Sequence, residues 1–339
     1  MSLLSKPVVM RKMMRYRDKA RQREYALQLV ELNYDNRCNF KCEHCFSRNL
    51  IQGERKLSLA DVTRLADQAH ELGAWQWHLQ GGEPLLWGDL FDVIQAIGPD
   101  RYHIMITTNG SLMTETMASD LHRAGVDKIS VSLDSFVPET HDRFRAFPHA
   151  HERAVNALAL AKAAGMQANV NTVVTHQNVH SQDLQDIIAF AEGNGYTLLL
   201  VVAASAGAWA GRTDMLITEE DAGYLLELKK RHDGIHRDLY PIFDFEWGCR
   251  TMNGLVYVTS DGELLPCPFI HISMGNVLDE PLADILRQGW RVRYFRDYSP
   301  RCLVGEDRAF IQRFMGLSVG RKGPVPFAEA FKEEDLYEE

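Results

Sequence analysis

From Gln28 to Val202 the chain repeats one pattern, a short run of branched and aromatic residues followed by a longer stretch with apolar positions at helical spacing. The short runs predict strands at Gln28–Leu32, Ala74–Leu79, His103–Thr107, Lys128–Leu133, Gln167–Val174 and Thr197–Val202, each bounded by glycine or polar residues. The intervening stretches carry helix start and stop signals. "LSLADVTRLADQAHELG" offers Ser58 as an N-cap and Gly73 as a stop, while "MTETMASDLHRAG" and "HERAVNALALAKAAG" also end in glycine. Strands that alternate with helices pair in parallel, because parallel neighbours need a crossover connection. Six such units fall short of the eight that close a full barrel. The expected fold is therefore α/β, a partial (β/α)6 barrel, with a doubly wound sheet as the competitor.

Beyond Val202 the pattern changes. "AASAGAWAGR" is a run of small residues, a helix is predicted from about Thr218 to Arg231, and "LVYVTSDGELLPC" reads as a hairpin turning at Asp261-Gly262. The expected division is a basic arm over 1–25, the barrel over 26–204, a linker with a helix over 205–245, a small α+β domain containing the hairpin over 246–310, and a tail over 311–339.

In either α/β architecture, function gathers in the loops after the strands. Cys38, Cys42 and Cys45 follow the first strand, Gly81, Gly82, Glu83 and Pro84 the second, and Thr108, Asn109 and Gly110 the third. Ser132 and Asp134 end the fourth, and Asn169 and Asn171 lie in the fifth. All of these fall on one rim. Trp75 and Trp77 lie on a predicted strand and read as packing residues.

Composition narrows the chemistry. With 45% apolar and 24% charged residues the chain reads as a globular protein. It shows no membrane span and no secretory segment, so a cytoplasmic location is expected. A net charge of −9 argues against DNA binding, which needs a basic footprint. Residues Met1 to Glu24 nevertheless hold eight Lys/Arg against two acids, read as a solvated arm lying across the main domain. In that setting six cysteines favour metal ligation or catalysis over disulfides.

The cysteines fall into two sets of three. Three thiolates are one short of closing a structural zinc site or an iron–sulfur cube, so one metal corner stays open for a small molecule. His44 can complete a zinc knuckle only with difficulty, because it adjoins a ligating cysteine. The spacing C-x3-C-x2-C after a first strand, with Phe40 in the first gap and Phe46 following, resembles the radical S-adenosylmethionine (radical SAM) superfamily. "GGEP", "TTNG" and "ISVSLDS" with "HDRFR" are similar in order and approximate spacing.

That resemblance implies a [4Fe-4S] cluster on Cys38, Cys42 and Cys45 that cleaves S-adenosylmethionine to a 5′-deoxyadenosyl radical, which abstracts a substrate hydrogen. It also implies S-adenosylmethionine contacts from Phe46, Gly81, Gly82, Glu83, Pro84, Thr108, Asn109, Ser132, Asp134, Arg143, Arg145 and Asn171. Gly81 and Gly82 would let backbone approach the methionyl group, Glu83 would accept from its ammonium, and Arg143 or Arg145 would fork onto its carboxylate.

The second set resembles the opening of a SPASM, or shortened twitch, extension: Cys249, twelve residues, Gly262, four residues, Cys267, then Cys302. Three cysteines where a complete SPASM region has seven imply one auxiliary [4Fe-4S] cluster, with an open iron or a fourth ligand from His271, Asp307 or substrate. An electron donor such as flavodoxin or ferredoxin is implied. The expected role is an oxidoreductase or transferase-type tailoring reaction on a small molecule such as a sugar, nucleoside or related metabolite. The alternatives are maturation of a ribosomally made peptide and a noncatalytic zinc-binding scaffold.

Overall fold

The computed structural model describes residues 6–22, 24–50, 53–237, 248–296 and 299–337. The expected linker boundary at 245/246 lies outside these residues. Six parallel strands form the barrel wall: β1 (Leu29–Leu32), β2 (Gln76–Leu79), β3 (His103–Thr108), β4 (Val126–Ser132), β5 (Gln167–Val174) and β6 (Thr197–Val202). A short seventh, β7 (Ile235–Arg237), continues beyond β6. On the other side β8 (Leu255–Val258) pairs in parallel with β1 and antiparallel with β9 (Leu264–Leu265), giving one sheet in the order β7-β6-β5-β4-β3-β2-β1-β8-β9. The hairpin of the C-terminal region is thus part of the barrel sheet, with Gly262 at its turn in a left-handed conformation (φ 88°).

Helices cover the outer face: α1 (Pro7–Arg21), α2 (Leu59–Glu71), α3 (Leu90–Ile97), α4 (Glu115–Arg123), α5 (Pro138–Arg145), α6 (Ala150–Ala163), α7 (Gln182–Asn194), α8 (Glu219–Arg231) and α9 (Leu282–Trp290). Local chemistry fixes several starts. Ser58 and Thr218 form capping boxes with Asp61 and Asp221, and Thr114 and Ser181 cap α4 and α7. Alternation along β4 shows how the wall works. Ile129 and Val131 are fully buried in the main core, whereas Lys128 and Ser130 line the barrel interior.

The basic arm forms α1, and its Val9, Tyr16 and Ala20 pack on Trp75. Lys6 Nζ is bonded to Asp127 at 2.5 Å and to the carbonyls of Tyr102 and Gly125, and Lys12 Nζ donates to His70 and Ala74 carbonyls. Gly125 and His70 lie at the ends of α4 and α2, where cations are favoured by unpaired carbonyls. Lys6 and Lys12 are therefore spent on the fold, in an arm that lies across the main domain as a helix.

Candidate active site

None of the six cysteines is in a disulfide. Cys38, Cys42 and Cys45 sit on the loop after β1, which three neighbouring segments hold. The first is the GGEP loop after β2. A Cβ on Gly82 would lie 2.1 Å from the Arg37 carbonyl, and one on Gly81 2.1 Å from Asn33 Oδ1. These glycines are needed for close approach of the chain's own cysteine-bearing segment, which is a role that the sequence reading had given to a ligand. Pro84 follows in a buried short turn.

The second segment is the loop after β3. Glu83 is 1% exposed; one carboxylate oxygen accepts from Thr108 Oγ1 (2.6 Å) and Leu85 N–H (3.1 Å), the other from Asn109 N–H (2.7 Å). Burial pushes the Glu83 carboxyl up against the pull of these donors. A carboxylate has about four acceptor positions, so one remains after three bonds. Asn109 Nδ2 donates to Asn39 Oδ1 at 2.9 Å and lies 4.0 Å from Cys38 Sγ.

The third segment ends β4. Asp134 Oδ2 accepts from Arg145 Nε at 2.6 Å and from its Nη2 at 2.5 Å, and Oδ1 accepts from Val173 N–H. Arg145 Nη1 reaches Cys42 Sγ at 3.8 Å. Burial would raise the Asp134 carboxyl, but the Arg145 guanidinium, His44, His141 and the Val173 N–H hold it below the usual carboxylate range. Arg145 is thus engaged within the chain, and Arg143 is exposed on α5.

Phe46 packs edge-on against Tyr257 and Phe269, tying the cysteine loop to the C-terminal region. His44 stacks on Phe144 at 4.5 Å, and burial pushes it down to about 3. Among the described residues no three His, Cys, Asp or Glu side chains are grouped for a single metal ion. The loop after β6 was missed as a contributor. Ala208 N–H donates to the Cys45 carbonyl at 2.9 Å, and a Cβ on Gly207 (φ 57°) would lie 2.2 Å from the Phe46 carbonyl. The run of small residues at 203–208 was the available signal.

The barrel interior is a cavity of about 440 Å³. A polar chain crosses it: Glu31 to His78 (2.9 Å), His78 to Thr107 (2.6 Å), Asn171 to Thr107 (3.4 Å), Asn169 to Asn171 (2.6 Å) and Thr197 to Asn169 (2.7 Å). Asn171 shares its register row with Ser132 on β4. Cys249, Cys267 and Cys302 all line this same cavity. His271 Nε2 lies 3.1 Å from the Pro268 carbonyl and Asp307 caps the helix Arg308–Phe314; neither residue is among those lining the cavity.

The chemistry of both cysteine sets, unpaired thiols sharing one loop or lining one cavity, suits iron–sulfur ligation. Burial pushes the Cys38 thiol up to about 11 and raises those of Cys42 and Cys267, so these groups stay neutral thiols unless a cationic centre offsets the burial of their charge. Donors already face sulfur, from Phe40 N–H to Cys38 at 3.4 Å and from Arg145 to Cys42.

Fold and sulfur placement together define an iron–sulfur enzyme on a partial (β/α) barrel. Residues 32–191 match the radical SAM superfamily, and residues 249–304 match an iron–sulfur cluster-binding domain of SPASM type. The chain carries a radical SAM domain and a C-terminal SPASM-type domain, which imply a [4Fe-4S] cluster with S-adenosylmethionine and auxiliary iron–sulfur.

The chain is 25% identical over 313 residues to the AdoMet-dependent heme synthase of Nitratidesulfovibrio vulgaris, covering 81% of this chain and 83% of that one. It is 27% identical over 306 residues to the PqqA peptide cyclase of Ruegeria pomeroyi, covering 84% and 80%. The fold is similar to that of Streptococcus suis SuiB bound to precursor peptide SuiA, with TM-score 0.62, 16% identity and coverage of 80% and 68%. These relatives support radical SAM enzymology and do not support the sugar or nucleoside expectation. Among the described residues no helix is long and apolar enough to cross a membrane.

Proposed function

We propose that this enzyme modifies a ribosomally made peptide by hydrogen abstraction, with one peptide side chain entering the barrel cavity. The observation that carries this reading is the likeness to a peptide cyclase over most of both chains, and the cavity limits how much of a peptide can enter. At about 440 Å³ it suits a side chain or a small molecule and not a folded peptide, and it brings the inner faces of the strands together with Cys249, Cys267 and Cys302.

Cys38, Cys42 and Cys45 would hold the S-adenosylmethionine cluster, and Cys249, Cys267 and Cys302 the auxiliary one. When bound, the first cluster supplies the electron that splits the sulfonium of S-adenosylmethionine. The chain's own residues position and shield. Glu83 fixes the GGEP and TNG loops against each other, and its remaining acceptor position suits the methionyl ammonium. Gly81, Gly82 and Pro84 set the floor of that pocket, Thr108 and Asn109 its side, and Ser132 and Asn171 the edge toward the barrel. Arg145, held by Asp134, sets Cys42. Flavodoxin or ferredoxin is the proposed electron donor, and the cytoplasm the proposed location.

The test is anaerobic incubation of reconstituted enzyme with S-adenosylmethionine, a reductant and the low-mass peptide fraction of the host. The expected result is a rise in 5′-deoxyadenosine that prior protease treatment of the fraction removes. Protease-resistant stimulation would overturn the peptide reading. A tetrapyrrole is the second reading, favoured by heme synthases aligned over about four-fifths of this chain; it predicts stimulation by a fraction with porphyrin absorption.

A further inference from the structure

Lys128 lies near the start of β4 and faces the barrel interior, in one register row with Met105 on β3 and Gln167 on β5. It is half-buried, and the space it lines is the cavity. Among the described residues no hydrogen bond or ion pair engages its ammonium. Neither nearby acid reaches Lys128, although Glu31 keeps one buried carboxylate oxygen without a partner. Asp127, the preceding residue, points to the opposite face of the strand, where it binds Lys6 at 2.5 Å and the Ile104 N–H at 2.9 Å. Glu31, in the same row across β2 and β3, is bonded to His78.

The other cations on the cavity wall are also used. Arg237 pairs with Glu306, and Arg250 bonds to the Gln28 side-chain oxygen. His103, on β3 beside Lys128, is pushed down to about 4 by burial and is neutral. Burial likewise pushes Lys128 down to about 8, with no carboxylate close enough to oppose it. It therefore stays mostly cationic near neutral pH, in a walled space and without a counterion. An unpaired charge in such a place is costly unless a ligand completes it.

We infer that Lys128 is the anchor for a carboxylate of the substrate, held inside the barrel cavity whose wall carries the auxiliary cysteines. This rests on the reading that the cavity receives the substrate. A carboxylate fits better than a phosphate. One unpaired ammonium matches a single negative charge, whereas a phosphate near −2 calls for several donors or a guanidinium fork. Ser130 and Gln167, which also line the cavity, supply a hydroxyl and an amide for the second oxygen. In a peptide substrate the anchor selects an acidic side chain or a terminal carboxylate at or next to the modified position.

The test is competitive acetylation of the reconstituted full chain, read by mass spectrometry at each lysine. Propionate is the probe, with propionamide and sodium chloride of equal ionic strength as controls. Propionate at about 100 mM should slow acetylation of Lys128 at least threefold and leave the exposed Lys41 and Lys322 unchanged; propionamide should do nothing. Labelling of Lys128 that ignores propionate would overturn the anchor. In the peptide-fraction assay, Lys128→Met should lose the stimulation of 5′-deoxyadenosine at least tenfold and Lys128→Arg should keep a measurable part. Stimulation of the methionine variant equal to wild type would also overturn it. Protection by propionate in a wild-type protein that no cell fraction stimulates would instead refute the cavity as substrate site and leave the anion site standing.

Discussion

Replacing Arg145 by methionine removes the cation that faces both Asp134 and Cys42. Asp134 and Arg145 have side chains 3% and 9% exposed and meet at 2.5 Å, so the change strands a buried carboxylate with the Val173 N–H as its remaining close donor. Breaking a buried pair by removing one partner costs ~3–5 kcal/mol, whereas replacing both partners by apolar residues is often close to neutral. Arg145→Met should therefore lose about 4 kcal/mol of unfolding free energy, and the double variant Arg145→Met/Asp134→Leu should recover most of it. The assay is urea unfolding of iron-free protein followed by tryptophan fluorescence.

The pH dependence has a definite sign. The folded Asp134 carboxyl lies below its unfolded value, so its contribution is present above about pH 4 and fades as pH falls through the folded value. The penalty of the single variant should shrink on acidification, because its stranded carboxyl can take up a proton. A single-variant loss under about 1 kcal/mol, or a double variant as damaged as the sum of its parts, would refute the reasoning.

Gly207→Ala should displace the Cys45–Phe46 backbone and lower iron uptake, while Gly223→Ala, with open space around its Cβ inside α8, should gain up to about 1 kcal/mol; equal iron content in both would contradict the close approach. His103 is held neutral and pushed down to about 4, so stability it contributes above pH 6.5 should fall away toward pH 4, by an amount on the order of 3 kcal/mol, and His103→Phe should flatten that slope in acid titrations. Replacing Cys249, Cys267 and Cys302 together by alanine should lower iron and sulfide by about four each per chain; an unchanged count would remove the auxiliary cluster.

The strand pattern made the barrel legible, since β5 and β6 both end on a pair of valines where the branched run stops, and Ser58, Thr114 and Thr218 cap the helices they precede. The three-residue β7 carries too little periodicity to be seen. The pairing of β8 with β1 joins residues more than two hundred positions apart, which no local pattern encodes. At the site, the cysteines and GGEP were visible, but the partners of Glu83 and Arg145 depend on tertiary packing. Two signals were present and unread. His141 and Arg145 are four apart on α5 and both buried, which puts Arg143 on another face. In "KISVS" the polar residues alternate inward, the mark of a strand with a packed outer face and a lined cavity within.

The most direct measurement is 5′-deoxyadenosine release by anaerobically reconstituted protein given S-adenosylmethionine and a strong reductant, compared with a variant in which Cys38, Cys42 and Cys45 are all alanine. Wild-type protein should release it and the variant should not. No release from iron-loaded wild type, or equal release from both, would contradict a radical SAM site on this loop.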